Sequence, residues 1–491
     1  MVGRVIDKEA TSIREYIVLP GLTPEDCTPD KIDVSQTILG IHFRFPMMPA
    51  SMSCLYNREK YDLALAAARE GMPPVIHYNQ SIDDQVKIIL SVKNPKIPEG
   101  DIEFIEDPAS ASPKDTLASA LNKVARYGHS VIPVLDKFRR LMGVFIKPFY
   151  EPKEDLSARL EDLPEPLYYD YKKLAKGTPR MSEKRIKKEL ADLQTQKKEG
   201  LTQNFFPLVD KEERLIKFAF IQKFPAYFCG AAISTHSGWK ERVKACKEAG
   251  ADFFVIDTSD GHSEFELKVA REFKNMFPDT PLCGGNWVTP GAFKDFAEYV
   301  DFAKIGMMTG DACKTGAVKN VGSPLFEPVK EIDKVRNEHY VKTGKYIYLI
   351  GDGGILTPPD MTVVLAFFDL MMGGKYFAQF YESAGRGFDS KGNPTDNEEL
   401  IVKKEYWGEG SNRAKNLARY GHQSIKTSLE EGVEKLVEHR GRLKPNVEED
   451  FKVVRNTMSN TGCKNLKEYR SKVVLRRLSA EGMKEKYPGD S

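Results

Sequence analysis

An apolar strand followed by a helix recurs eight times along this chain, and few architectures can absorb that rhythm. The apolar run at 43–52 leads into an Ala- and Leu-rich helix over 58–70, and 74–78 leads into 82–92. After an interruption the pattern resumes at 227–234, whose helix sets Trp239, Val243 and Cys246 on one face at i, i+4 and i+7. The segment 252–257 is almost continuously apolar, as a strand covered on both faces should be, and Val269, Phe273 and Met276 follow it at helical spacing. Then come 281–286 with a helix near 292–300, 302–306 with a long helix over 326–339, 345–350 with a short helix over 361–368, and 370–374. Eight such units predict an α/β chain closed into a (β/α)8 TIM barrel, whose functional groups sit where the strands end. An open doubly wound sheet is the alternative.

Glycine and polar residues gather at those strand ends: Gly230, Asp257-Thr258-Ser259, Gly284-Gly285-Asn286, Gly351 to Gly354, and Gly373-Gly374. One such cluster marks only a turn, but a series at successive ends points to a site. The loop 304–315 organises the rest, because it carries Cys313. Gly306 and Gly310 would let its backbone turn tightly or with positive φ, Thr309 and Thr315 keep it polar, and its amides suit a thiolate or an anion. By itself Cys313 reads as a small buried residue, and its surroundings are what make it a candidate nucleophile. The seven cysteines are odd in number, scattered and free of any Cys-x-x-Cys pair, so neither a disulfide framework nor a zinc site is expected. With 73 basic and 71 acidic residues the net charge is +2, which gives no support to a nucleic-acid or membrane-surface role. No run reaches the length of a signal peptide core or a membrane span, so a cytoplasmic protein is expected.

At 491 residues the chain exceeds one barrel of ordinary size, and the interruption accounts for the excess. The expected division is barrel over 1–93, an insert over 94–224, barrel again over 225–385, and a flap with a C-terminal segment over 386–491. Inside the insert, 133–141 and 207–215 share Pro, Asp, Lys, Arg and Leu at matching positions. This repeat resembles a pair of CBS motifs, modules that often bind adenine or guanine nucleotides between the copies. Neither copy has the usual ribose-holding threonine and aspartate after Gly143-Val-Phe-Ile146 or Lys217-Phe-Ala-Phe220, so a purine nucleotide ligand and a purely architectural role both stay open.

Taken in order, Gly-Ala-Ala-Ile-Ser-Thr235, Val-Ile-Asp257, Gly-Gly-Asn286, the cysteine loop, Asp-Gly-Gly354, Met-Met-Gly-Gly374 with Glu382, and Tyr406-Trp-Gly-Glu-Gly-Ser411 resemble the IMP dehydrogenase and GMP reductase family over nearly the whole chain. The resemblance implies that Cys313 attacks C2 of the purine of IMP while hydride leaves to NAD, and that the resulting thioimidate is hydrolysed to XMP. A thiolate suits both steps, being nucleophilic near neutral pH and giving an intermediate that water can open. The same resemblance assigns Asp352 to the ribose hydroxyls, Thr315 to the attacking water, and Ala50, Met52, Gly354, Gly374, Tyr406, Gly408, Glu409 and Gly410 to the nucleotide. It assigns Asp257, Thr258, Ser259, Asn286 and Gly306 to NAD. A potassium ion is implied on carbonyls of Met308, Gly310 and Cys313, with Glu481 and Gly482 of a neighbouring subunit in a homotetramer.

In the dehydrogenases of this family a flap bearing an Arg-Tyr pair activates water, and Arg419-Tyr420 matches it, with Glu431 matching the residue on the purine N1 edge. That favours NAD-dependent IMP oxidation; an NADPH-dependent GMP reductase, or a member with an altered purine nucleotide, is the alternative. Several positions depart from the family pattern. Lys304 and Met308 replace a more usual arginine and glycine, Ala50 replaces a serine, and Asp311 and Lys375 stand where serines contact the substrate phosphate. Either Asp311 and Lys375 pair, leaving Lys375 as the cation of the phosphate site, or the substrate is not plain IMP.

Overall fold

The computed structural model describes residues 5–7, 9–56, 63–93, 103–105, 108–127, 131–147, 154–182, 184–186, 188–189, 192, 203, 205–220, 227–415 and 430–487. The chain divides into two compact units, Met1–Asn94 with Tyr227–Ser491, and Pro95–Ala226.

The first unit is built on eight parallel strands: β1 (Met47–Pro49), β2 (Val75–Ile76), β3 (Gly230–Ile233), β4 (Phe253–Ile256), β5 (Leu282–Trp287), β6 (Phe302–Ile305), β7 (Tyr348–Asp352) and β8 (Leu370–Gly373). Their order in the sheet is β1-β8-β7-β6-β5-β4-β3-β2. Because β8 pairs in parallel with β1, Met371 opposite Met47, the sheet curls back on its start. This is a nearly closed (β/α)8 barrel, and the doubly wound alternative is excluded. Every residue of β3, β4, β6 and β8 is buried, which their unbroken apolar runs require once helices cover the outer face.

The outer helices are α1 (Leu63–Arg69), α2 (Ile82–Lys93), α3 (Trp239–Glu248), α4 (Glu264–Met276), α5 (Pro290–Phe296), α6 (Phe326–Thr343) and α7 (Pro358–Val364). Their starts are set by side-chain caps: Ser263 accepts from the Glu266 amide, and Thr289 from the Ala292 amide with Pro290 in the first turn. Some boundaries differ from the sequence reading. The run at 43–52 separates into a hairpin strand, Ile41–Phe43, and β1. The helix placed at 361–368 starts earlier, because Pro358 opens it and Thr357 with Asp360 forms a capping box. Only the short Lys375–Ala378 helix directly follows β8. The eighth outer place goes to α8 (Leu443–Asn460), which touches both α7 and α1. The C-terminal stretch therefore completes the barrel wall, and its last strand, Leu475–Arg477, pairs with Tyr16–Val18.

Among its described residues the second unit holds two three-stranded sheets, each containing one copy of the repeat as a hairpin, Val131–Leu135 with Leu141–Ile146 and Phe205–Val209 with Leu215–Phe220. The repeated aspartates make the turns: Asp136 accepts from the Phe138 and Arg140 amides, and Asp210 from those of Glu212 and Arg214. The hairpins then bond reciprocally, Leu141 amide to the Glu213 carbonyl at 3.0 Å and Leu215 amide to the Arg139 carbonyl at 2.9 Å.

Candidate active site

A cleft opens where the strands of the barrel end, and the residues expected from six of the strand ends line it together. Ala50 and Met52 follow β1, Asp257, Thr258 and Ser259 follow β4, and Asn286 lies in β5. Gly306, Met308, Gly310, Asp311, Cys313 and Thr315 follow β6, Asp352 and Gly354 come from β7 and its turn, and Gly374 and Lys375 follow β8. Tyr406, Gly408, Glu409, Gly410 and Glu431 close the cleft from the C-terminal side. Glu481 and Gly482 do not line it; they sit in the helix Ala480–Lys486, where Glu481 pairs with Lys484 at 2.9 Å. Arg419 and Tyr420 lie outside the described residues.

Of the seven cysteines, Cys313 is the exposed one. Burial pushes the thiols of Cys54 and Cys283 far up and that of Cys246 up to about 12, so those three stay protonated and inert. The Cys313 thiol donates to Thr315 Oγ1 at 3.2 Å, and Thr315 Oγ1 donates to Glu431 Oε2 at 3.2 Å. The other Glu431 oxygen pairs with Lys319 at 2.8 Å. A proton leaving Cys313 thus has a two-step path to a carboxylate. The backbone holds that carboxylate in place, since the Lys314 amide donates to the Glu431 carbonyl at 2.7 Å and the Val433 amide to the Ala312 carbonyl at 3.1 Å. Upstream, the Glu431 amide donates to the Gly410 carbonyl at 3.0 Å, so residues 410 and 431 are tied to each other as well as to the cysteine loop.

The loop turns differently from the sequence reading. Gly306 does need to be glycine: its φ is 142°, and a Cβ there would fall 2.2 Å from the Asp352 carbonyl oxygen. Gly310 has no positive φ; the left-handed residue is Met308, with φ 67°.

Lys304 is the feature that motif reading underrated. Its side chain is 3% exposed, and Nζ lies 3.4 Å from Asp257 Oδ1 and 3.1 Å from Asp352 Oδ2, with the Asn286 side-chain oxygen as a third partner. Burial opposes its charge, but Asp352 and Asp257 outweigh burial and hold the ammonium above the usual lysine range. Asn286 completes the network by donating to Asp352 Oδ2 at 2.8 Å, and Ser51 donates to Asp257 Oδ2 at 2.9 Å. Behind it Glu266 accepts from the Gly285 amide at 2.9 Å and from Thr258 Oγ1 at 2.6 Å, and burial pushes its carboxyl up to about 8. Glu409 fixes the opposite wall, taking Asn79 Nδ2 at 3.0 Å and the Ser53 amide and hydroxyl at 2.5 Å.

Asp311 and Lys375 do pair, at 3.2 Å, and Lys435 joins them 2.5 Å from the same carboxylate oxygen. Burial pushes Asp311 up, but hydrogen bonds and charge from Lys435 and Lys375 more than cancel that and hold it below the usual carboxylate range, so it is an anion at neutral pH. Burial keeps the Tyr406 phenol neutral.

Residues 10–488 match the family model described as IMP dehydrogenase / GMP reductase domain. The chain belongs to this family. It is 30% identical to an inosine-5'-monophosphate dehydrogenase of Tritrichomonas foetus, the match covering 98% of this chain and 95% of that protein. To the Escherichia coli (strain K12) inosine-5'-monophosphate dehydrogenase it is 28% identical, over 99% of this chain and 96% of the relative. In fold it is similar to a cysteine-to-alanine variant of GMP reductase from Trypanosoma brucei solved with guanosine 5'-monophosphate. That similarity has a TM-score of 0.66 at 20% identity and covers 99% of this chain and 98% of the other. Family membership gives the chain an enzyme's barrel, and Lys304, Met308, Asp311 and Lys375 line its cleft.

Proposed function

We propose that this chain oxidises IMP to XMP, a step of guanine nucleotide synthesis, through a covalent adduct on Cys313. The observation that carries the reading is the Cys313–Thr315–Glu431 chain in the mouth of a family barrel. Glu431 takes the thiol proton through the Thr315 hydroxyl, and the thiolate forms a bond to C2 of the purine as the C2 hydride departs. NAD, when bound, accepts that hydride. Once Glu431 has released the first proton to solvent, water adds to C2, its proton passing by the same Thr315–Glu431 route, and the C2–sulfur bond breaks to return the thiolate. Asp352, held by Lys304 and Asn286, offers carboxylate oxygen to the ribose hydroxyls.

Thr258 and Ser259 are the polar groups on the cofactor side, while Asp257 and Asn286 are engaged with Lys304 and act there by positioning. Potassium would take backbone carbonyls of Met308, Gly310 and Cys313, with Glu481 and Gly482 supplied by another copy. Arg419 and Tyr420 would be a second route for activating water. The paired hairpins of Pro95–Ala226 support reading that unit as a CBS-like pair.

The test is NADH formation from IMP and NAD in potassium buffer. The expected result is activity in the native chain and none in Cys313→Ala. Consumption of NADPH with GMP in its place would sink the dehydrogenase reading and assign the reductase.

A further inference from the structure

Three charged side chains from separate parts of the chain meet beside Gly374. Asp311 comes from the cysteine loop, Lys375 opens the short helix after β8, and Lys435 comes from the strand Glu434–Glu438, where it is paired across the sheet with Tyr406. Lys375 and Lys435 lie 3.2 Å and 2.5 Å from one Asp311 oxygen, and the three side chains are 27%, 36% and 23% exposed in that order. Two ammonium groups around one carboxylate leave a net charge of +1 at the wall of the cleft. Asp311 and Lys375 both line the cleft, and Lys435 joins them from the strand paired with Tyr406, itself a lining residue.

We infer that Asp311 is an internal counter-ion seated in an anion subsite formed by Lys375 and Lys435, so that a phosphomonoester entering the subsite must share or displace it. Asp311 is then a specificity-determining residue that works against the phosphate, and Lys435 is a phosphate-binding residue. This deepens the nucleotide reading above and rests on it for the identity of the phosphomonoester. The cluster is partly exposed, which screens the repulsion but does not remove it.

Calorimetric titration of the full chain with inorganic phosphate, IMP and inosine tests the inference in native protein, Asp311→Asn, and Asp311→Asn combined with Lys435→Met. Asp311→Asn should bind phosphate and IMP about tenfold more tightly, an advantage that shrinks as salt is raised, with inosine unchanged. Adding Lys435→Met should cancel the gain. Unchanged or weaker phosphate and IMP binding in Asp311→Asn overturns the inference, as does a gain shared equally by inosine. Asp311→Ser serves as the second variant if the asparagine destabilises the loop. Should no form bind IMP or inosine, the nucleotide reading falls, while the inorganic phosphate series still decides the subsite.

Discussion

Lys304 keeps a charge inside the end of a barrel, and what it holds apart determines what its loss would do. Replacing it by methionine leaves the partly buried Asp257 and Asp352 without their cation, and breaking such a pair costs at most roughly 3–5 kcal/mol, the figure for fully buried charges. Lys304→Met should lower the denaturant midpoint accordingly, while Lys304→Arg, which keeps the charge, should recover most of it. Thr315→Val removes the hydroxyl between Cys313 and Glu431 and should reduce turnover by at least about 100-fold with little change in KM for IMP. A KM effect alone would dismiss the relay. At this scale the sequence made Cys313, Asn286 and Asp352 legible, because they sit at strand ends in recognisable company. Lys435 stayed hidden because its partner is 124 positions away in the chain, as 435 minus 311 shows, and only the sheet pairing of its strand with Tyr406 delivers it. Met308 was misjudged against Gly310 because a glycine permits a left-handed turn without requiring one.

Between elements, Glu266 of α4 reaches under β5 and the loop after β4, and its proton couples their packing to pH. Its folded pKa, about 8, lies above the unfolded value, so from about pH 4.5 to 8 the native state holds a proton that the unfolded chain has lost. Stability from this group is therefore greatest in acid and falls as pH rises through that window. Glu266→Gln, which keeps an uncharged group of the same shape, should raise the thermal midpoint at pH 8 and match the native chain near pH 4.5; an equal midpoint at both pH values would remove Glu266 from the account. The strand–helix alternation was readable because periodicity reports burial. The role of α8 was not, since a helix that arrives about seventy residues after β8 carries no mark in its own sequence of the place it will fill.

For the whole molecule, the described residues that line the cleft belong to the Met1–Asn94 and Tyr227–Ser491 unit. Replacing Pro95–Ala226 by a short Gly-Ser linker should leave the barrel folded and NADH formation largely intact; loss of activity in a folded product would show that the insert acts on the site. The ties that join Gly410, Glu431 and the cysteine loop have a different kind of consequence. Lys415 lines the cleft and Glu430 leads directly into Glu431, so the ties that hold Gly410 and Glu431 to the cysteine loop seat two stretches distant in the chain beside one nucleophile.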